Sequence, residues 1–133
     1  MGHPALIFKV IPAAEWKAAQ QASVYHGSAH DKQDGFLHFS TAAQLEETLR
    51  RHYANAGAIV IAAVNAAALG DILKFEYSSS RGENFPHLYG PLKLVYEPPE
   101  KATVLSELFT HYPPFIEQQG ISDWLKYLET QSS

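Results

Sequence analysis

The run GAIVIAAV, Gly57 to Val64, decides how the rest of the chain is read. It carries no polar side chain, is too short for a typical helix, and is bounded by Gly57 and Asn65. It therefore predicts a central strand buried on both faces. Upstream, Thr41 with Gln44 makes a capping-box pattern that opens a helix whose Leu45, Leu49, His52 and Tyr53 share one face. Before that helix, Gly35 to Ser40 predicts a second strand, and the polar stretch VYHGSAHDKQDG, residues 24–35, predicts a surface loop. Ala5 to Ile11 is apolar except for Lys9 and predicts a short buried strand. Pro12 suits the first position of a helix through Ser23, with Trp16 and Ala19 inward.

Downstream, Ala66 to Gly70 predicts a tight helical turn. Leu73, Phe75 and Tyr77 alternate with Lys74 and Glu76 and predict a half-exposed strand. Ser78 to Asn84 (SSSRGEN) predicts a mobile loop. Phe85–Tyr89 and Leu92–Tyr96 predict two short strands around a Gly90-Pro91 turn, and Pro98-Pro99 ends the sheet region. In the tail, Ile121, Trp124, Leu125 and Leu128 follow helical spacing after Ser122 as N-cap and predict an amphipathic helix.

The chain has 133 residues, 46% hydrophobic and 18% charged, with Gly 8 and Pro 8. A domain of this size buries roughly two-thirds of the surface of its unfolded chain, enough for a core without staples. The absence of cysteine removes thiolate nucleophiles, disulfides and Cys-based metal sites together. The start MGHPALIFKV has no basic region ahead of a long apolar run, and no stretch reaches the ~18 apolar residues of a membrane span. The expectation is a cytoplasmic, bacterial-type domain with no membrane contact. Residues 1–96 carry 8 acids and 8 bases, while 97–133 carry 6 acids against Lys101 and Lys126. That balance lacks the basic stripe long nucleic acid needs and leaves room for one small anionic ligand.

Two strands carry the candidate chemistry. In GFLHFST, alternation puts Phe36, His38 and Ser40 on one face and sends Leu37 and Phe39 to the other; in FPHLYG it groups Phe85, His87 and Tyr89. Each strand thus presents an imidazole beside a hydroxyl. His38, Ser40 and Thr41 suit ribose hydroxyls or phosphate oxygens, and His87 a second polar contact or an acid–base role. Tyr89 or Phe85 offers a flat face for a ring. Arg81, in the Ser78–Asn84 loop, is the arginine placed to meet an anion. His52 reads as a packing residue on its helix. His26 and His30, with Asp31, Asp34 and His38 nearby, have the chemistry zinc or nickel accepts, but a loop does not align their rings, so no metal is expected. There is no GxSxG elbow and no glycine-rich phosphate loop.

The block Asp34–Thr41 (DGFLHFST), the helix to His52, the strand leading into NAAALGD (Asn65–Asp71) and FPHLYGPL (Phe85–Leu92) together resemble the bacterial domain-of-unknown-function family 952 from about Leu6 to Tyr96. That family resembles the ADP-ribosyltransferase fold, and its element order is similar to that of the NAD-using RNA 2'-phosphotransferases. Their His-x-His-Leu-Ser strand matches Phe36–Ser40, their Val-x-Val-Asp-Ala strand matches Ile61–Ala66, and their Phe-containing strand matches Phe75. The resemblance implies an NAD-type cleft. The transferases' His-Gly-Thr corresponds to Lys9-Val10-Ile11, which puts Lys9 beside the ligand. Their arginine corresponds to Asp34, and a catalytic acid is missing unless Glu83 serves.

The combined expectation is an α+β fold with a small, strongly bent mixed sheet, packed helices and a C-terminal amphipathic helix. Residues 1–96 form an ADP-ribosyltransferase-like domain, and 97–133 a helical extension packed on it. The cleft is expected to bind NAD, ADP-ribose or a related nucleotide, with His38 and His87 as catalytic groups and Ser40, Thr41, Tyr89, Arg81, Lys9 and Phe85 as ligand contacts. Two functions stay open: an NAD-dependent ADP-ribosyl or phosphoryl transferase or hydrolase, and a non-catalytic nucleotide- or peptide-binding module. The module would act through a protein partner or as a homodimer joined by the C-terminal helix.

Overall fold

The computed structural model describes residues 5–112 and 115–132. In chain order the strands are β1 (Leu6–Pro12), β2 (Val24–Tyr25), β3 (Leu37–His38), β4 (Gly57–Asn65), β5 (Leu73–Ser78), β6 (Glu83–Leu88), β7 (Leu92–Lys93) and β8 (Val104–Tyr112). The α-helices are α1 (Ala13–Ala22), α2 (Ala29–Asp34), α3 (Ala42–His52) and α4 (Phe115–Ser132), and short 3-10 segments occupy Ala66–Ile72 and Pro99–Lys101.

Among the described residues every strand pairing is antiparallel, in three small sheets ordered β1–β4–β8, β2–β7 and β3–β6–β5. This corrects the expectation of one strongly bent mixed sheet. The first and third sheets meet through a backbone bridge in which Phe8 N–H donates to Ser40 O at 2.7 Å and Ser40 N–H donates to Phe8 O at 2.9 Å. The α+β class holds.

The apolar run at Gly57–Val64 is the middle strand of its sheet, and its alternation builds two cores. Val60, Ala62 and Val64 pack with Ile7, Ile11, Trp16, Ala19, Leu37, Leu88 and Leu92, beneath α1 and the third sheet. Ile59, Ile61 and Ala63 pack with Phe8, Val10, Leu45 and Leu49 beneath α3, and with Ile121 and Leu128 of α4. Side chains such as Ile61 and Leu45, fully buried, stabilise the fold by roughly 1.5–3 kcal/mol each.

The reading of 97–133 as a helical extension misses β8, which runs antiparallel to β4 from Val104 to Tyr112. Its pattern hides the strand because Leu105 and Phe109 stay exposed on an edge. Helix α4 starts at Phe115, so Ser122 lies inside it and not at its N-cap. Trp124 donates its indole N–H to Ser106 Oγ at 2.9 Å and meets the Phe8 ring edge-on at 5.7 Å. Ile121 and Leu128 are buried within the chain itself. No helix of the described residues is long and apolar enough to cross a membrane.

Candidate functional site

The site begins with a helix in the stretch expected to be an irregular loop. Ser28 caps α2 by accepting from Asp31 N–H at 3.1 Å, and Asp31 accepts from Ser28 N–H at 2.9 Å. Ser-x-x-Asp was the signal for it in the sequence. Gly35 ends the helix in a left-handed conformation at φ 87°. At Gly27, φ is 106° and a Cβ would stand 2.9 Å from Asp31 Cβ, so glycine lets the backbone close over that carboxylate.

Asp31 is buried and holds four donors. Besides Ser28 N–H it receives the Lys9 ammonium at 2.9 Å, His38 N–H at 3.1 Å and His38 Nδ1 at 2.6 Å. Burial by itself would raise the Asp31 carboxyl. The His38 hydrogen bond and the Lys9 charge override it and hold the group well below the usual carboxylate range. An ionised carboxylate only accepts, so Nδ1 of His38 carries the hydrogen. Lys9 was expected to touch ligand. It is instead 3% exposed and acts beneath the surface, fixing Asp31, which in turn fixes the imidazole. Burial lowers the Lys9 ammonium against the pull of Asp31.

His38 stands directly opposite His87 in the β3–β6 ladder, with ring centroids 5.7 Å apart. Phe36 stacks on His87 at 4.0 Å and tilts against His38 at 4.6 Å and Tyr89 at 5.2 Å. The period-two expectation for these four residues holds because Leu37 and Leu88, opposite one another, both enter the core. Glu76 joins them. Its Oε1 accepts from the Tyr89 hydroxyl at 2.6 Å and pairs with His87 Nδ1 at 2.8 Å. These bonds, Tyr89 first, hold the Glu76 carboxyl below its ordinary value. Sequence reasoning missed Glu76. Its alternation on β5 put it on the polar side, but only the pairing of β5 with β6 brings it to His87 and Tyr89.

The remaining predicted residues gather at the α3 end. Ser40 is buried, with Oγ 2.7 Å from Thr48 Oγ1; Arg81 donates to that same Thr48 oxygen at 3.2 Å and lies 4.5 Å over the Phe85 ring. Thr41 N–H donates to Gln44 Oε1 at 3.0 Å, and Gln44 Nε2 donates to Asn84 O at 2.7 Å and to Glu83 Oε1 at 3.1 Å. Ser40, Thr41 and Phe85 are thus engaged in local structure. Arg81, half-buried, is anchored by Thr48 and by Gln44 O at 3.4 Å, and Glu83 lies beside Gln44. Lys74 faces His87 in register on the neighbouring strand.

Further along α2, His30 Nε2 lies 3.5 Å from Asp34 Oδ2, and His38 Nε2 lies 2.9 Å from the same oxygen. The rings of His30 and His38 stack at 4.6 Å. His26 is elsewhere, lining an open depression of about 490 Å³ with Glu15, Ala19, Tyr25 and Lys32, which holds none of the predicted site residues.

A family model described as a protein of unknown function, DUF952, matches residues 10–111, reaching beyond Tyr96 into β8. No curated protein matches the chain. The crystal structure of protein CC0527 from Caulobacter crescentus is 38% identical over 78% of this chain and 84% of that one, with a TM-score of 0.68. The solution NMR structure of CC0527 is 38% identical over 79% and 84%, with a TM-score of 0.65. With most of its length under the family model, including both histidine strands, the chain belongs to the DUF952 family.

Proposed function

We propose that the histidine face of the β3–β6–β5 sheet binds a nucleotide of the NAD or ADP-ribose class on an ADP-ribosyltransferase-like fold, and acts at the nicotinamide glycosidic bond. The observation that carries this reading is the His38–His87 pair, 5.7 Å apart, with Phe36 and Tyr89 beside it and Glu76 bonded to both His87 and Tyr89. The aromatic rings suit a flat heterocycle. Glu76, whose ionised form is favoured, suits the positive charge that grows on ribose as the bond breaks. Lys74, in register with His87, is the cation of this face that suits phosphate, and Arg81 lies farther along at the α3 end.

In the proposed step the bond from ribose C1' to the nicotinamide nitrogen breaks, and its electron pair leaves with nicotinamide. The oxygen of water or of an acceptor hydroxyl bonds to C1', and its proton passes to the Glu76–His87 pair. A second reading, a non-catalytic binding module, is favoured by one observation: Lys9-Val10-Ile11, at the place of the transferases' His-Gly-Thr, is buried and holds no group open to nicotinamide.

Incubation with NAD and measurement of free nicotinamide, beside calorimetric titration of NAD and ADP-ribose, tests both. Nicotinamide release that falls at least ~100-fold in Glu76→Gln supports catalysis. Binding without release supports the module. Absence of heat with either nucleotide, while His87→Ala behaves as the parent, overturns the nucleotide reading.

A further inference from the structure

We infer that His30, Asp34 and His38 form a binding site for a divalent cation of the zinc type. This reverses the expectation that no metal is held, which rested on reading the segment as an irregular loop. It goes beyond the nucleotide reading and does not depend on it.

Helix α2 supplies the alignment that a loop lacks. Residues four apart share a helical face, so His30 and Asp34 stand together, and the turn at Gly35 returns the chain so that His38 reaches the same spot. One ligand atom from each of the three lies within 4.8 Å of the others. Metal bonds of about 2.0–2.2 Å to nitrogen and oxygen put neighbouring ligand atoms of a tetrahedron roughly 3.3–3.5 Å apart. His30 Nε2 and Asp34 Oδ2 already stand at 3.5 Å. Side-chain rotations bring the other two separations into range, since His30 is 66% exposed and Asp34 37%.

The second, independent observation is what lies behind His38. Its Nδ1 donates to Asp31, a buried carboxylate locked by Lys9 and two backbone N–H groups. That is the carboxylate–histidine arrangement that orients a metal-bound imidazole and raises its basicity. His38 Nε2 faces Asp34 Oδ2 at 2.9 Å, so the nitrogen turned away from Asp31 meets a carboxylate oxygen that a cation can share with it. A divalent cation that replaces the hydrogen between these two atoms takes both as ligands, and His30 supplies a third on the open side. Two imidazoles and one carboxylate are a set that zinc and related borderline cations accept, and three protein ligands leave a position for water or a ligand oxygen.

The test uses the full chain, freed of metal with EDTA and dialysed, with no nucleotide present. Titration with Zn2+ in a calorimeter should show saturable binding of about one ion per chain, and Co2+ should give the visible bands of a low-coordinate site. His30→Ala and Asp34→Asn, both surface changes, should each weaken Zn2+ binding at least ~10-fold, and His26→Ala should leave it unchanged. No saturable Zn2+ binding, or equal affinity in the parent and in folded His30→Ala, overturns the site. Running the NAD titration in EDTA keeps its outcome separate from this one.

Discussion

The β1–β4–β8 sheet and the β3–β6–β5 sheet share a core, yet they use their faces differently. In the first, β4 sends Val60 and Val64 one way and Ile59 and Ile61 the other, and helices cover both sides. In the second, Leu37 and Leu88 face inward, while the opposite side carries His38, Tyr89 and Glu76, partly open to water, and His87, buried against Phe36. A strand covered on both faces gains stability from every residue and has no side chain left for chemistry. A strand covered on one face keeps half its residues for function, at fixed spacing. The two sheets are fastened together where Lys9 of β1 meets Asp31 of α2 and where Phe8 bridges Ser40.

The largest effect expected from breaking this arrangement comes from uncovering the doubly buried sheet. Deleting residues 113–133 strips Ile121, Trp124 and Leu128 from Phe8 and Ile61. At roughly 1.5–3 kcal/mol per large side chain, several kcal/mol of stability should go, read as a fall in the urea midpoint. An unchanged midpoint would mean that α4 is not part of the core. Cutting the fastener comes next. Lys9→Ala leaves the Asp31 carboxylate buried without its ammonium and should cost about 3–5 kcal/mol, partly recovered when Asp31→Ala is added. A single-variant cost below about 1 kcal/mol would show that the pair does not join the sheets.

Within the sheets, Ile61→Ala should cost about 2–5 kcal/mol by opening a cavity, whereas Tyr89→Phe, at a position 40% exposed, should change stability by less than about 1 kcal/mol. Comparable losses would erase the contrast between a packing face and a working face. Acid should act through Asp31. Its folded pKa is depressed, so the stability it contributes is present above the ordinary carboxylate value near 4 and is lost as pH falls below it through the folded value. Urea midpoints taken from neutral pH downward should therefore fall in strong acid, and less steeply in Asp31→Asn. The smallest effect is local: the hydrogen bond to Glu76, and after it the Glu76 charge, raise the Tyr89 phenol, so Glu76→Gln, which weakens the first and removes the second, should let it titrate at lower pH by ultraviolet absorbance with the fold unchanged.

Elements of strong periodicity are legible from the residues alone. Gly57–Val64 reads better as a strand closed on both faces than as a helix, being short and bounded by Gly57 and Asn65, and α3 announces itself through Thr41, Gln44 and the Leu45–Leu49 spacing. Alternation also put His38 and His87 each on the side of its strand opposite Leu37 and Leu88, because a one-residue slip would have turned those leucines out of the core. Three things needed the tertiary structure. The six-residue α2 is too short to show a period, so its capping box went unread. β8 keeps apolar residues on an exposed edge, where alternation no longer marks the inside.

The third is partnership. Lys9, Asp31 and His38 are separated by 22 and 7 residues in the chain, and no local pattern says that a buried lysine will find that carboxylate or that the carboxylate will orient that imidazole. Glu76 reaches His87 across 11 residues for the same reason. Periodicity fixes which way a side chain points. Which charge it meets depends on strand pairing and burial, where an unpaired ion is too costly to keep, and those are properties of the folded chain alone.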